Sequence, residues 1–187
     1  QGVTAFYMSD VVSPIRNNEH VLIHAAVGGV GSLLIQLAKR NGAIVYAKIG
    51  SEEKRELALK LGADYVINYK ATDYEAELKR LLGKNLLSAS FNPIAGDTIK
   101  KDMQFLGPNG RLFIFGGSQM VGGKFGIFSK LKFLFDMGVV LPIALMMRSK
   151  SLIGVNMLKI ADAYPDIIAT CLKEVTELYR KNELKTH

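Results

Sequence analysis

The amino-acid sequence predicts an α/β fold in which a parallel sheet is covered by helices on both faces. Apolar runs of strand length alternate with amphipathic helical patterns along the chain, and a glycine-rich turn joins the first such strand to a helix. With 187 residues and 49% hydrophobic content, the chain can bury the core of one domain. This alternation is typical of a Rossmann-type, doubly wound sheet with strand order 3-2-1-4-5-6.

The first βαβ unit carries the clearest signals. Residues 21–23 form a continuous apolar run, as expected for a strand covered on both faces. The apolar residues that follow recur at helical spacing, at Leu33, Leu34, Leu37 and Ala38. The pattern stops at Asn41-Gly42, and a second strand covers 43–49. The unit spans about 30 residues, the length of a parallel crossover whose turn holds a nucleotide.

The rest of the chain continues the alternation. Further helices are predicted over 52–61, 74–82, 97–106 and 162–181, and further strands over 65–68, 86–91, 111–115 and 151–156. A turn, Gly107-Pro108-Asn109-Gly110, separates the third of these helices from the fifth strand. The final helix is expected to place its apolar residues near one face, at Ile167, Ile168, Leu172, Val175 and Leu178.

The glycine-rich turn predicts a dinucleotide site. Gly28 and Gly31 occupy the second and third glycine positions of a G-x-G-x-x-G pattern, and Ala26 replaces the first. A helix that opens here directs free N–H groups and its positive dipole end at an anion. Tight strand-to-helix turns also occur without a ligand, but the surrounding βαβ unit favours a dinucleotide. The residues expected to hold its pyrophosphate are Ala26, Gly28, Gly29, Val30 and Gly31.

The end of the second strand favours NADP(H) over NAD(H). An NAD-selective site places an acidic residue there for the ribose 2′-hydroxyl, whereas this chain has none before Glu52. The Ser51 hydroxyl, the Lys54 ammonium and also Lys48 suit a 2′-phosphate instead. In the alternative interpretation, Ser51 only caps a helix whose Glu52 and Glu53 suit its dipole, while Lys54 is solvated. Both interpretations can hold together.

Several segments carry a family resemblance. The runs HAAVGGVGSLLIQLAK, SEEK and LGADYVINY, with GRLFIFGG at 110–117, resemble the nucleotide-binding domain of the zinc-independent medium-chain dehydrogenases/reductases. Within them the chain is similar to the quinone oxidoreductase branch, and residues 130–187 are similar to the vesicle amine transport protein 1 subgroup. The resemblance covers nearly the whole chain.

This resemblance implies specific cofactor contacts. It assigns the 2′-phosphate to Ser51, Lys54 and Tyr69. It places the nicotinamide near the ends of the fourth and fifth strands, at residues 92–95 and 115–118, with Asn92, Phe115, Gly116 and Gly117 as candidates. Relatives commonly carry an acidic residue where this chain has Asn92, whose amide can still form hydrogen bonds.

The resemblance also implies a missing domain and an activity. Full members add a GroES-like substrate domain, so residues 1–187 are interpreted as a truncated NADP(H)-binding domain. The parent protein is expected to transfer hydride from NADPH to a quinone or an α,β-unsaturated carbonyl, and this fragment alone to be inactive. The wall of the substrate site would belong largely to the missing domain, and no residue here suggests a general acid or base. We therefore name no catalytic residue.

Two other function classes remain open at this level. One is an NADP-sensing, vesicle- or membrane-associated protein of the same fold with weak or no turnover. The other is an S-adenosylmethionine-dependent methyltransferase, whose fold also places glycines after the first strand. That class normally has an acidic residue at the tip of the second strand, where this chain has Gly50.

Charge and hydropathy argue against nucleic-acid and transmembrane roles. The net charge of +7 is spread over many predicted helices, as is usual for solvated surface. The modest basic cluster comprises Lys124, Lys130, Lys132, Arg148 and Lys150. It flanks an apolar segment, 133–147, which is too short to span a bilayer as a helix. We interpret this segment as buried or inter-subunit, and the alternative is a membrane-facing surface or a wall of the substrate pocket. No signal peptide is recognisable.

Cysteine and histidine usage predicts a cytoplasmic protein without a metal site. Cys171 is the single cysteine, so it cannot form an intramolecular disulfide, and we expect it to be a buried apolar residue. The histidines, His20, His24 and His187, show no ligand spacing, and His24 is expected to be a hydrogen-bonded core residue.

The free edge of the sixth strand suggests a homodimer.

Overall fold

A computed structural model describes residues 1–116 and 141–186. Its described strands form one parallel sheet in the order β3-β2-β1-β4-β5-β6, which confirms the predicted fold class and topology. The strands are β1 His20–Ile23, β2 Ile44–Ile49, β3 Tyr65–Asn68, β4 Leu87–Asn92, β5 Leu106–Phe115 and β6 Ser151–Val155. Since β1 pairs with both β2 and β4, the strand order reverses between β1 and β4.

Helices cover both faces of the sheet. Those described are α1 Gly2–Phe6, α2 Gly29–Arg40, α3 Arg55–Lys60, α4 Tyr74–Leu82, α5 Thr98–Phe105, α6 Pro142–Met147, α7 Met157–Ala163 and α8 Pro165–Arg180. A π-helical turn, Tyr7–Val12, continues α1, and a 3-10 turn, Glu52–Lys54, precedes α3. Among the helices of 1–116 and 141–186, none has both the length and the apolar character needed to cross a membrane.

Alternation along each strand divides the core into two layers. Val21 and Ile23 of β1 pack in the layer that includes α1, α2 and α8, whereas Leu22 between them packs in the layer of α4 and α5. On β2, Val45 and Ala47 join the first layer and Tyr46 joins the second. Because both faces of β1 are covered, its residues 21–23 read as a continuous apolar run.

The start of the fifth strand differs from the prediction. The expected turn at 107–110 lies within β5, because the pairing with β4 shifts from Leu87–Leu106 to Ala89–Arg111. This irregularity accommodates the intervening residues as a bulge in β5, and Asn109 within it is left-handed at φ +63°. The turn residues at 107–110 therefore indicate a bulge within β5, and not a turn between the preceding helix and the strand.

The final predicted helix is two helices. Asp162 belongs to α7, and α8 begins at Pro165. Proline favours the first turn of a helix and disfavours helical conformation in the residue before it, here Tyr164, so the chain breaks at this point. The face of α8 also differs, because Leu172 is 55% exposed, while the buried residues are Cys171, Val175 and Leu178.

Some predicted features lie outside the described residues. They are Gly117, the cluster members Lys124, Lys130 and Lys132, the terminal His187 and most of the apolar segment 133–147.

Candidate functional site

Backbone contacts fix the turn between β1 and α2. Ala25 adopts a left-handed conformation with φ +46°, and its carbonyl oxygen accepts a hydrogen bond from the amide of Gly28 at 2.8 Å. The next residue, Ala26, is fully buried, and its amide donates to the carbonyl oxygen of Lys48 at 3.1 Å. The alanine expected to replace the first glycine thus joins the turn to β2, and the left-handed residue is its neighbour.

Gly31 is the point at which α2 packs directly on this turn. A Cβ added there would overlap the carbonyl oxygen of Ala25 and lie 2.9 Å from the Cα of Ala26. A Cβ at Gly28 would lie 3.1 Å from the carbonyl oxygen of Ala25, which is also tight. Glycine at 31 therefore sets how closely the helix approaches the end of β1.

The first turn of α2 presents unpaired backbone donors. The helix starts at Gly29 with Gly28 as its N-cap, no side chain caps it, and its first turn contains no acidic residue. The amide of Ser32 donates to Gly28 at 2.9 Å, so the amides of Gly29, Val30 and Gly31 precede the first intrahelical bond. Such amides, together with the positive end of the helix dipole, attract an anion.

A second group of residues lies where β2 and β3 end. Tyr69 follows β3, and its amide donates to the carbonyl oxygen of Ile49 at 3.1 Å. Its ring lies across Gly50, since a Cβ added to that glycine would be 3.1 Å from the tyrosine hydroxyl. Ser51 comes next, and although it occupies an N-cap position, its hydroxyl forms no capping hydrogen bond.

The charges around this group favour an anion. Lys54 is exposed one turn after Ser51. The adjacent acidic residue, Glu52, is engaged by Arg55 and by the Asn68 side chain, which donates to it at 3.1 Å. The Glu52 carboxylate is therefore partly neutralised, and the Ser51 hydroxyl, the Lys54 ammonium and the Tyr69 phenol lie at this edge together with the exposed carboxylate of Glu53.

Lys48 is not part of that edge, although the sequence suggested it as a phosphate ligand. Its side chain points into the α4–α5 layer and the residue is only 3% exposed. The ammonium lies 3.4 Å from His24 Nδ1 and 3.5 Å from the centre of the Tyr74 ring. Alternation along β2 explains why Lys48 is buried, since its side chain faces the same α4–α5 layer as those of Ile44 and Tyr46.

Lys48 belongs to a buried polar cluster that sequence reasoning missed. The cluster consists of His24, Lys48, Tyr74, Ser90, Asn92, Thr98 and Asp102. Because a lysine ammonium only donates, His24 Nδ1 accepts from it, and Nε2–H donates to Asp102, 2.9 Å away. His24 is thus a hydrogen-bonded core residue. The other members of the cluster lie on β2, β4, α4 and α5, so no local spacing in the sequence could reveal the cluster.

The ends of β5 and β6 and the start of α7 border a cavity. Asn92, at the end of the neighbouring β4, is completely buried, and its amide is used by neighbours within the protein, so its side chain is not available to a ligand. Phe115 and Gly116 line a cavity of about 590 Å³. Val30 of α2 lines it too, which places the cavity beside the glycine-rich turn.

Metal ligands do not cluster in the described part of the chain. Across residues 1–116 and 141–186, His, Cys, Asp and Glu nowhere form a group of three or more that could hold a metal ion.

The sequence match decides the family. Residues 29–174 match the family model of the zinc-binding dehydrogenases. The chain belongs to the zinc-binding dehydrogenase family. This family membership confirms the resemblance to medium-chain dehydrogenases/reductases and removes the support for a methyltransferase.

Individual relatives agree with this assignment. Quinone oxidoreductase 1 of Escherichia coli is 33% identical over 70% of this chain and 40% of its own length. The synaptic vesicle membrane protein VAT-1 homologue of Danio rerio is 28% identical over 98% of this chain and 38% of its own. The crystal structure of E. coli quinone oxidoreductase complexed with NADPH superposes with a TM-score of 0.79 at 26% identity, covering 100% of this chain and 52% of that one.

These relatives are longer than the present chain. It spans about two fifths of the curated relatives named above, and corresponds to their C-terminal, nucleotide-binding part.

The packing at Gly31 leads to a stability prediction. Gly31→Ala is expected to lower the free energy of unfolding by about 1–3 kcal/mol, because α2 or the turn must shift to admit the methyl group. The matched control is Gly154→Ala on β6, where an added Cβ meets nothing within 4 Å. Urea unfolding followed by circular dichroism measures both variants. Equal stabilities for the two would contradict the close contact.

The burial of Lys48 leads to a pH prediction. Burial lowers the pKa of Lys48 from its ordinary 10.5 to about 8. Between pH 8 and 10.5, Lys48 therefore binds more protons in the unfolded chain than in the folded one. The free energy of unfolding consequently rises with pH, and this group contributes about 2 kcal/mol of that rise from pH 8 to 10.

Lys48→Met removes the titrating group, so its stability curve should lack this rise when both proteins are unfolded in urea across the same pH range. Burial raises the pKa of Tyr46 to about 12 and also raises the pKa of Tyr74. Both tyrosines are present in both proteins, so they do not account for a difference between the two curves. Parallel curves for the two proteins would contradict a buried, titrating Lys48.

Proposed function

We propose that this chain binds NADP(H) as the nucleotide-binding domain of an oxidoreductase that reduces a quinone or an α,β-unsaturated carbonyl. The observation that carries the proposal is the uncapped first turn of α2, which opens where the strand order reverses between β1 and β4. Ligands of open α/β sheets bind at this reversal. The NADPH complex of the E. coli relative supports the choice of cofactor.

The pyrophosphate is assigned to the glycine-rich turn. Of the assigned residues Ala26, Gly28, Gly29, Val30 and Gly31, the last three have amides that are free to donate to phosphate oxygens, and the glycines leave the backbone open to approach. The exposed side chain of Gln1 lies against Gly29, so a bound phosphate requires that this side chain move aside.

The 2′-phosphate is assigned to Ser51, Lys54 and Tyr69. Ser51 and Tyr69 offer hydroxyl groups, Lys54 offers a positive charge, and the nearby Glu52 is already paired with Arg55 and Asn68. A carboxylate free to grip an unphosphorylated ribose is what an NAD-selective site would need. This arrangement favours the phosphorylated cofactor.

The nicotinamide is assigned to the cavity at the ends of β5 and β6, which is lined by Phe115 and Gly116, with the turn after Asn92 next to Gly116. Gly117, the remaining candidate of this group, lies outside the described residues. When bound, the nicotinamide supplies the hydride. The residues of this chain orient its ring and keep water from one side of it, and the part of the protein beyond these residues is proposed to supply the substrate wall.

A nucleotide-sensing role without efficient turnover is a second candidate. The similarity to the VAT-1 homologue extends over 98% of this chain, against 70% for quinone oxidoreductase 1. Assays of the full-length protein with quinones and enones separate the two. NADPH binding without turnover supports sensing, whereas NADPH oxidation that depends on the acceptor supports the enzyme.

Cofactor choice has a direct test in Lys54→Ala. Loss of a charge-assisted contact to the 2′-phosphate should weaken NADPH binding by about 1–3 kcal/mol and leave NADH binding nearly unchanged. The control is Lys60→Ala, which removes an exposed lysine of the neighbouring α3 whose partner is Glu56. Fluorescence titration gives the dissociation constants. Equal losses for both cofactors in the Lys54 variant would contradict the assignment.

A further inference from the structure

Asp102 on α5 is a fully buried carboxylate with several donors. Its Oδ2 accepts from Ser90 Oγ at 2.9 Å and from Asn92 Nδ2 at 2.7 Å. His24 Nε2 lies 2.9 Å from the same oxygen, and the Tyr74 hydroxyl lies 3.5 Å from Oδ1. A carboxylate without water needs such donors, because an unpaired buried charge is strongly destabilising.

The bond to Asp102 fixes the orientation of the Asn92 amide. Since Nδ2 donates to the carboxylate and to Thr98 Oγ1 at 2.8 Å, the amide oxygen must face the other way. That oxygen accepts from the backbone amides of Ile94 and Ala95 at 2.9 and 3.0 Å. The side chain therefore links a buried carboxylate to the backbone of the turn after β4.

The turn that Asn92 holds has an unfavourable backbone conformation. Ala95 is left-handed at φ +57°, which a residue with a Cβ adopts only when its surroundings impose it. Thr98 adds a second restraint, because its hydroxyl lies 2.6 Å from the carbonyl oxygen of Ala95 and donates to it. Without Asn92 and Thr98, the turn would relax toward other conformations.

The same turn lies next to Gly116, which lines the cavity proposed for the nicotinamide. Pro93, its first residue, lies close to the end of β5, since a Cβ added to Gly116 would be 3.8 Å from Pro93 Cβ. The group proposed for the 2′-phosphate lies on the other side of the reversal point, at the ends of β2 and β3. A change in this turn should therefore affect one half of the dinucleotide only.

We propose that Asp102 is a positioning residue that orients Asn92 and thereby holds the turn after β4 in the conformation that receives the nicotinamide half of the cofactor. This inference rests on the proposed function. Asp102 itself touches neither cofactor nor substrate, and it acts through Asn92.

Two ligands separate this role from a general loss of stability. NADPH spans the whole site, whereas adenosine 2′,5′-bisphosphate lacks the nicotinamide. Asp102→Asn keeps the side-chain shape but allows an N–H donor to face the Asn92 amide. By isothermal titration calorimetry of the 187-residue chain, we expect NADPH binding to weaken by about tenfold, the loss that follows when a tenth of the molecules retain the competent turn. Binding of the bisphosphate should be unchanged.

Two further variants complete the test. Ser90→Ala removes another donor to the same carboxylate oxygen without touching the turn, so both ligands should bind as in the wild type. Thr98→Val releases Ala95 and Asn92 without altering the buried charge, and should weaken NADPH selectively. If Asp102→Asn does not fold, Thr98→Val and Ser90→Ala decide the result.

Selective loss of NADPH in the Asp102 and Thr98 variants supports the inference. Equal losses for both ligands, no loss, or a selective loss in Ser90→Ala as well would overturn it. A wild-type chain that binds neither ligand would overturn the proposed function itself, and that result is seen before any variant is measured.

Discussion

The contact between Gly31 and the backbone of Ala25 and Ala26 is the constraint on which the candidate site depends. It allows the first turn of α2 to lie directly against the end of β1, where the strand order reverses. The free amides of that turn then occupy a fixed position relative to the neighbouring strand ends. A side chain at position 31 would push the helix away, and the anion site would lose its geometry.

From this fixed point the carboxyl edge of the sheet divides into two halves. Toward β2 and β3 lie a hydroxyl, an ammonium and a phenol, all accessible to a ligand. On the other side lie the turn after β4, which Asn92 links by hydrogen bonds to the buried polar cluster, and a cavity at the ends of β5 and β6. The first half suits a charged group, and the second suits a flat ring, which together match the two ends of a phosphorylated nicotinamide dinucleotide.

Much of the fold could be predicted from the sequence, because strands covered on both faces and a glycine-rich turn leave local patterns. Features that depend on contacts between distant parts of the chain leave no such local pattern and could not be predicted. The inward direction of Lys48 depends on which layer each face of β2 meets, and its partner Asp102 lies on a distant helix. The bulge in β5 arises from its register with β4, which turn residues alone do not specify. The break at Pro165 had a local signal, since proline favours a helix start.

The most direct measurement is a crystal structure of this chain soaked with NADPH. We expect pyrophosphate oxygens within hydrogen-bond distance of the amides of Gly29 to Gly31, the 2′-phosphate beside Ser51 and Lys54, and the nicotinamide against the turn after β4. A pyrophosphate bound away from the first turn of α2, or a 2′-phosphate distant from Lys54, would contradict this expectation.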